Sequence, residues 1–128
     1  MRFQMTQMTE LIKDFIALNE ACRPLELCKK FYADDVLMLS NGSIFAETMQ
    51  QAHDKQKAFV DQVTASEVKL VAQKIDGDKA ELVFHYKMTN SKSESMEFGG
   101  KHRQWWQGDK IIKEEYSSVS LTDLQNYP

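Results

Sequence analysis

GGKHRQWWQGDKIIKEEYSSVS, residues 99–120, reads as two β-strands folded about a tight turn at Gln107-Gly108-Asp109-Lys110. Gly-Asp between aromatic and β-branched runs is a hairpin signal, because glycine reaches the positive φ that tight hairpin turns need. The first strand carries His102, Arg103, Gln104, Trp105 and Trp106; the second carries Ile111, Ile112, Glu114, Glu115 and Tyr116. A histidine, two tryptophans, a tyrosine and two carboxylates are not the makings of a plain core hairpin. At least one face of this sheet has a use. A two-residue loop sets His102 opposite Glu115, and one further loop residue sets it opposite Glu114. A one-residue slip exchanges the faces of a strand, so the carboxylate stays open between the two. Either register gives His102 a carboxylate as cross-strand neighbour.

Composition bounds what surrounds the hairpin. The chain has 128 residues, which suits one domain over residues 1–128. With 42% hydrophobic and 27% charged residues it is a globular composition. A net charge of -3 without a basic cluster argues against nucleic acid or an anionic membrane as partner. No apolar run approaches the roughly 20 residues of a membrane span. The opening MRFQMTQMTE lacks the apolar core of a signal peptide, so a cytoplasmic location is expected. Cys22 and Cys28 come with no CxxC or HxxxH pattern. They read as structural thiols, with no metal and no cofactor expected.

In chain order, Thr6 or Thr9 can cap a first helix whose buried stripe is Met8, Leu11, Ile12, Phe15 and Cys22. Pro24 opens a second helix with Leu27, Cys28, Phe31 and Tyr32 as its apolar face. Ala33-Asp34-Asp35 ends that helix, and its paired aspartates read as a solvated turn rather than a metal or acid/base site. Val36–Leu39 is a short strand, Asn41-Gly42 a turn, and Ile44-Phe45 a brief strand. A third helix over 47–63 buries Met49, Ala52, Gln56, Phe59, Val60 and Val63, with His53 at its boundary. Strands follow at 68–75 and 79–88. The second alternates Ala80, Leu82, Phe84, Tyr86 and Met88 against Glu81, Val83, His85 and Lys87. After a polar loop at 90–94 come strands at 96–106 and 110–120, and residues 121–128 read as a loose tail.

Helices followed by a run of strands mean α+β. The order, together with Phe31-Tyr32-Ala33-Asp34-Asp35-Val36 and Gly108-Asp109-Lys110-Ile111-Ile112, resembles the nuclear transport factor 2-like superfamily over about Met8 to Ser120. Its SnoaL-like and ketosteroid isomerase-like branches are the nearest in pattern. The resemblance implies three N-terminal helices packed on a strongly curved mixed or antiparallel sheet. The sheet forms a cone with an internal pocket for a mostly apolar small molecule with a polar end. Phe15, Ser40, Phe59, Phe84, Tyr86, His102, Gln104, Trp106 and Tyr116 are the expected ligand contacts. The isomerase machinery does not carry over: its base falls at Ser40, its first-helix tyrosine at Phe15, and its second oxyanion donor at His102. A serine hydroxyl without an adjacent base cannot take a carbon-bound proton at neutral pH.

Three functions fit this pattern. One is a small-molecule-binding domain. Another is a polyketide cyclase-, dehydratase- or isomerase-like enzyme using His102 with Glu114 or Glu115. The last is a non-catalytic dimerisation module. His102 beside a glutamate is also what an ordinary cross-strand polar pair looks like. Trp105, Arg103, Ile111 and Val83 are expected on the outer sheet face, where an aromatic-and-arginine patch suits a homodimer interface. With Ser40 and Phe15 in place of base and donor, isomerisation of a β,γ-unsaturated ketone should not rise to enzyme-like rates. Loss of one oxyanion donor alone costs about 10²–10³ in rate. Absorbance of the conjugated product reads this directly, and robust turnover would show the correspondence to be misaligned.

Overall fold

A computed structural model describes residues 3–128, with side chains from Gln7 onward. The elements run α1 (Phe3–Glu20), α2 (Pro24–Phe31), β1 (Tyr32–Ser40), β2 (Ser43–Ala46), α3 (Met49–Val60), β3 (Val63–Asp76), β4 (Lys79–Asn90), β5 (Ser95–Gln107), β6 (Lys110–Val119) and α4 (Leu121–Gln125). One sheet takes all six strands in the order β2-β1-β6-β5-β4-β3. β1 runs parallel to β6, and every other pair is antiparallel. The class is therefore α+β with a mixed sheet, and the helices precede the long strands as the sequence pattern requires.

Local chemistry explains most boundaries. α1 starts at Phe3, so Thr6 and Thr9 lie within it and neither caps it; the Thr6 side chain is outside the described residues. Pro24 occupies the first turn of α2, where its missing N–H leaves no bond unmade. Thr48 caps α3 by accepting from the Gln51 N–H at 3.0 Å. α3 stops at Val60, and Val63 opens β3 earlier than the pattern suggested. Of the α3 stripe only Ala52 is fully buried, and Phe59 is 41% exposed.

Two expectations fail on tertiary grounds. Ala33-Asp34-Asp35 is not a turn: α2 hands over directly to extended backbone at Tyr32, and both aspartates sit exposed within β1. The last residues are not a loose tail either. Ser120 caps α4 by accepting from the Asp123 N–H at 3.1 Å, and Leu124 is buried over Gly99. A Cβ at Gly99 would lie 2.7 Å from Leu124 Cγ, so only glycine admits this contact. A single apolar seat outweighs the weak helix propensity of so short a segment.

The decisive irregularity is in the last hairpin. Its loop is the two residues Gly108-Asp109, with Gln107 opposite Lys110 and Trp106 opposite Ile111. The register then slips, and Trp105 faces Lys113. Ile112 is thus an extra residue, a β-bulge that reverses the alternation of β6 beyond it. Gln104 comes opposite Glu114, Arg103 opposite Glu115, and His102 opposite Tyr116. His102 has no directly opposed carboxylate, contrary to both registers considered. Ile111 and Glu114 turn inward together, while Ile112 is exposed. The packed interior runs from Ile12 and Phe15 of α1 through Phe31 to Trp106, with the Phe31 ring 5.5 Å from Phe15 and 5.8 Å from Trp106.

Leu124→Ala should lower stability by about 2–3 kcal/mol, the ordinary price of emptying a leucine site. Urea unfolding at neutral pH measures this, and an unchanged midpoint would return α4 to the status of a tail.

Candidate functional site

A cavity of about 480 Å³ lies between the helices and the sheet. Phe15 of α1, Leu27 of α2, Val60 of α3, Met38 of β1, Val68 of β3 and Phe98 of β5 contribute apolar wall. The polar groups gather where β4, β5 and β6 meet: Tyr86, His102, Tyr116 and Glu114.

Glu114 is only 2% exposed, and its partners are set by a chain of forced choices. The Trp106 indole N–H, which can only donate, bonds Gln104 Oε1 at 3.0 Å. That fixes the Gln104 amide, whose Nε2 donates to Glu114 Oε2 at 2.7 Å. The Tyr32 hydroxyl donates to Glu114 Oε1 at 2.9 Å. Burial pushes the Glu114 carboxyl up, but the charge of the nearby His102 and the bonds from Gln104 and Tyr32 prevail and hold it below its usual value. The carboxylate is the form this cage accepts.

His102 sits beside Glu114 on the cavity wall. Its Nδ1 is 3.4 Å from Glu114 Oε1, an ion-pair distance, and has no hydrogen-bond partner. Its Nε2 is 2.7 Å from the Tyr86 hydroxyl, which also accepts from Asn19 Nδ2 at 3.1 Å. The Tyr116 and Phe84 rings meet the imidazole edge-on at 5.2 and 5.7 Å. Gly100 makes this crowding possible: a Cβ there would lie 2.5 Å from Tyr116 and 3.0 Å from Tyr86. Burial first, and then the nearby Glu114, raise Tyr32 well above a free phenol. Burial likewise raises Tyr86 and Tyr116. Cys28 is pushed up to about 12 by burial and by Glu114, so this wall thiol stays protonated and inert.

Among the expected contacts, Phe15, Ser40, Phe59, Tyr86, His102 and Tyr116 line the cavity, as does Glu114. Phe84, Gln104 and Trp106 do not. They are packed solid behind it, and the latter two orient Glu114. Glu115 faces away, 3.8 Å from Arg103. On the outer face Arg103 also lies 3.5 Å from Glu81, and Lys113 sits 4.9 Å over the Trp105 ring. Ile111 and Val83 are not part of that patch. Ile111 precedes the bulge and keeps its inward phase, and Val83, in an interior strand between Ala72 and Lys101, is covered by its neighbours. The sequence pattern singles out neither Tyr32 nor Asn19 for the site. It assigns Tyr32 to an apolar helix face, although a tyrosine buried at that position needs a partner for its hydroxyl. Among the described residues no three histidine, cysteine or acidic side chains converge as a metal site.

No protein-family model matches the sequence, and no curated protein matches it. Solved structures do. A protein described as a SnoaL-like polyketide cyclase from Mesorhizobium loti is 18% identical, with a TM-score of 0.70 over 85% of this chain and 97% of that one. A nuclear transport factor 2-like protein of unknown function from Burkholderia pseudomallei is 8% identical, with a TM-score of 0.72 over 91% and 94%. A ketosteroid isomerase-like fold from Catenulispora acidiphila, solved with trimethylamine, is 14% identical, with a TM-score of 0.69 over 90% and 88%. The fold is that of the nuclear transport factor 2-like superfamily.

Tyr32→Phe should destabilise the protein by about 1–3 kcal/mol at pH 7, the penalty for leaving a buried acceptor short of a donor. A lowered folded-state carboxyl contributes stability above its unfolded value of 4.5, and that contribution is lost as pH falls below 4.5 through the folded value. The gap between wild type and Tyr32→Phe should therefore narrow in acid. Denaturant titrations at pH 7 and pH 3 check both limbs, and an equal gap at the two pH values would mean that Glu114 is not the partner that matters.

Proposed function

We propose that this chain binds a small, mostly apolar molecule in the cavity, with the ligand's polar end against His102, Tyr86 and Tyr116. One observation carries the reading: an open apolar cavity of about 480 Å³ ends in a cluster of convergent polar groups backed by a buried carboxylate. That volume lies within the roughly 300–1,000 Å³ of small-molecule sites. A pure dimerisation module would have no need to keep this space empty of its own side chains. Neutral aromatic ketones and phenols should shift the His102 ring resonances and raise the melting temperature. If every such compound, and organic amines of the same size, leave His102 unmoved at millimolar concentration, the cavity is not a binding site.

A second reading is favoured by the 3.4 Å approach of His102 Nδ1 to Glu114. A histidine backed by a carboxylate can take a proton as general base while the carboxylate stabilises the resulting imidazolium. Cyclisation chemistry of the kind named for one fold neighbour would use such a pair. The enzyme reading requires turnover of a bound ligand that His102→Ala abolishes without abolishing binding.

A further inference from the structure

Given that the cavity is a small-molecule site, we infer that it selects by charge, favouring an organic cation with an apolar body, such as a tertiary or quaternary amine, over neutral and anionic analogues. The inventory of its walls points there. Among the described residues no lysine or arginine lines the cavity, whereas Glu114 does. Lys55 reaches the Phe45 ring, 5.2 Å from its centre, but its ammonium is taken by the Phe45 carbonyl and it is not part of the lining. Glu114 has hydrogen-bond donors, but the donors from Tyr32 and Gln104 are neutral. Among the described residues its one close source of positive charge is His102, and only when that ring is protonated.

The walls near Glu114 are aromatic as well. Tyr86 and Phe98 stack at 5.1 Å, and Tyr116 closes the other side of His102. Ring faces attract cations, the more so when water is excluded. A buried anion does the same and repels a carboxylate or phosphate. An ammonium in this cavity would supply the counter-charge that His102 supplies on protonation. Ligand and proton should therefore compete.

The groups that face His102 are Glu114 and Tyr116 on β6, Tyr86 on β4, and, through Glu114, Tyr32 on β1 and Cys28 on α2. Burial keeps the phenols and the thiol neutral across pH 5–8, and Glu114 stays ionised there. Within this cluster, His102 is the group whose protonation adds a positive charge beside Glu114.

Calorimetric titration with benzyltrimethylammonium, its neutral isostere neopentylbenzene, and 4-phenylbutyrate tests the selection. At pH 8 the cation should bind about tenfold more tightly than the isostere, with the carboxylate weakest. The advantage should shrink toward pH 5 in the wild type and persist in His102→Gln. It should vanish in Glu114→Gln while the isostere still binds; if that variant does not fold, the pH dependence of His102→Gln alone decides. Equal or tighter binding of the isostere or the carboxylate at pH 8 would overturn charge selection and leave the cavity a binding site. So would a cation advantage unchanged in Glu114→Gln, or one that still fades with acid in His102→Gln. Failure of all three probes to bind would overturn both the selection and the cavity reading beneath it.

Discussion

An ionised carboxylate buried at Glu114 is the constraint around which the rest of this structure is arranged. Such a group is tolerated only where donors replace its water. Tyr32 and Gln104 provide them, and each must itself be held. Gln104 is held by the Trp106 indole, and Tyr32 by its place at the junction of α2 and β1. The requirement thus links the parallel β1–β6 contact to the last hairpin. It also explains why Gln104 and Trp106, placed on the cavity-facing side of β5, contribute nothing to the cavity surface.

The bulge at Ile112 is what brings that carboxylate inside. With a regular two-residue hairpin, Ile111, Lys113 and Glu115 would share the inner face. The slip between Trp105 and Trp106 instead groups Ile111 with Glu114 and Tyr116. One extra residue therefore decides whether the inner face carries Lys113 with Glu115 or a caged Glu114 with Tyr116. Bulges recur beside functional sites because they re-aim side chains in this way.

The cavity has a second structural requirement in Gly100. Two tyrosines crowd His102 because no Cβ occupies the space between them. The imidazole is consequently wedged between Glu114 on one side and the Tyr86 hydroxyl on the other. Rings this constrained present fixed hydrogen-bonding directions to whatever enters, and a binding site gains selectivity from such preorganisation.

The amino-acid order by itself determined the fold class, the Gly108-Asp109 turn, the alternation of β4 and the shared face of His102, Gln104 and Trp106. These follow from period-two patterning, turn chemistry and helix punctuation, all of which are local. The resemblance carried by Phe31–Val36 and Gly108–Ile112 placed Phe15 and Ser40 on the cavity wall, as the structure does. What tertiary structure alone decided is which carboxylate meets His102, that Ile111 and Val83 are buried, that Asp34 and Asp35 belong to a strand, and that residues 121–125 dock as a helix. Two adjacent isoleucines give no sign of which one will bulge. That choice is made by the energy of packing Trp106 against Phe31 and of caging Glu114 between Tyr32 and Gln104. Those partners come from distant parts of the chain, and their contribution exists only once the chain has closed.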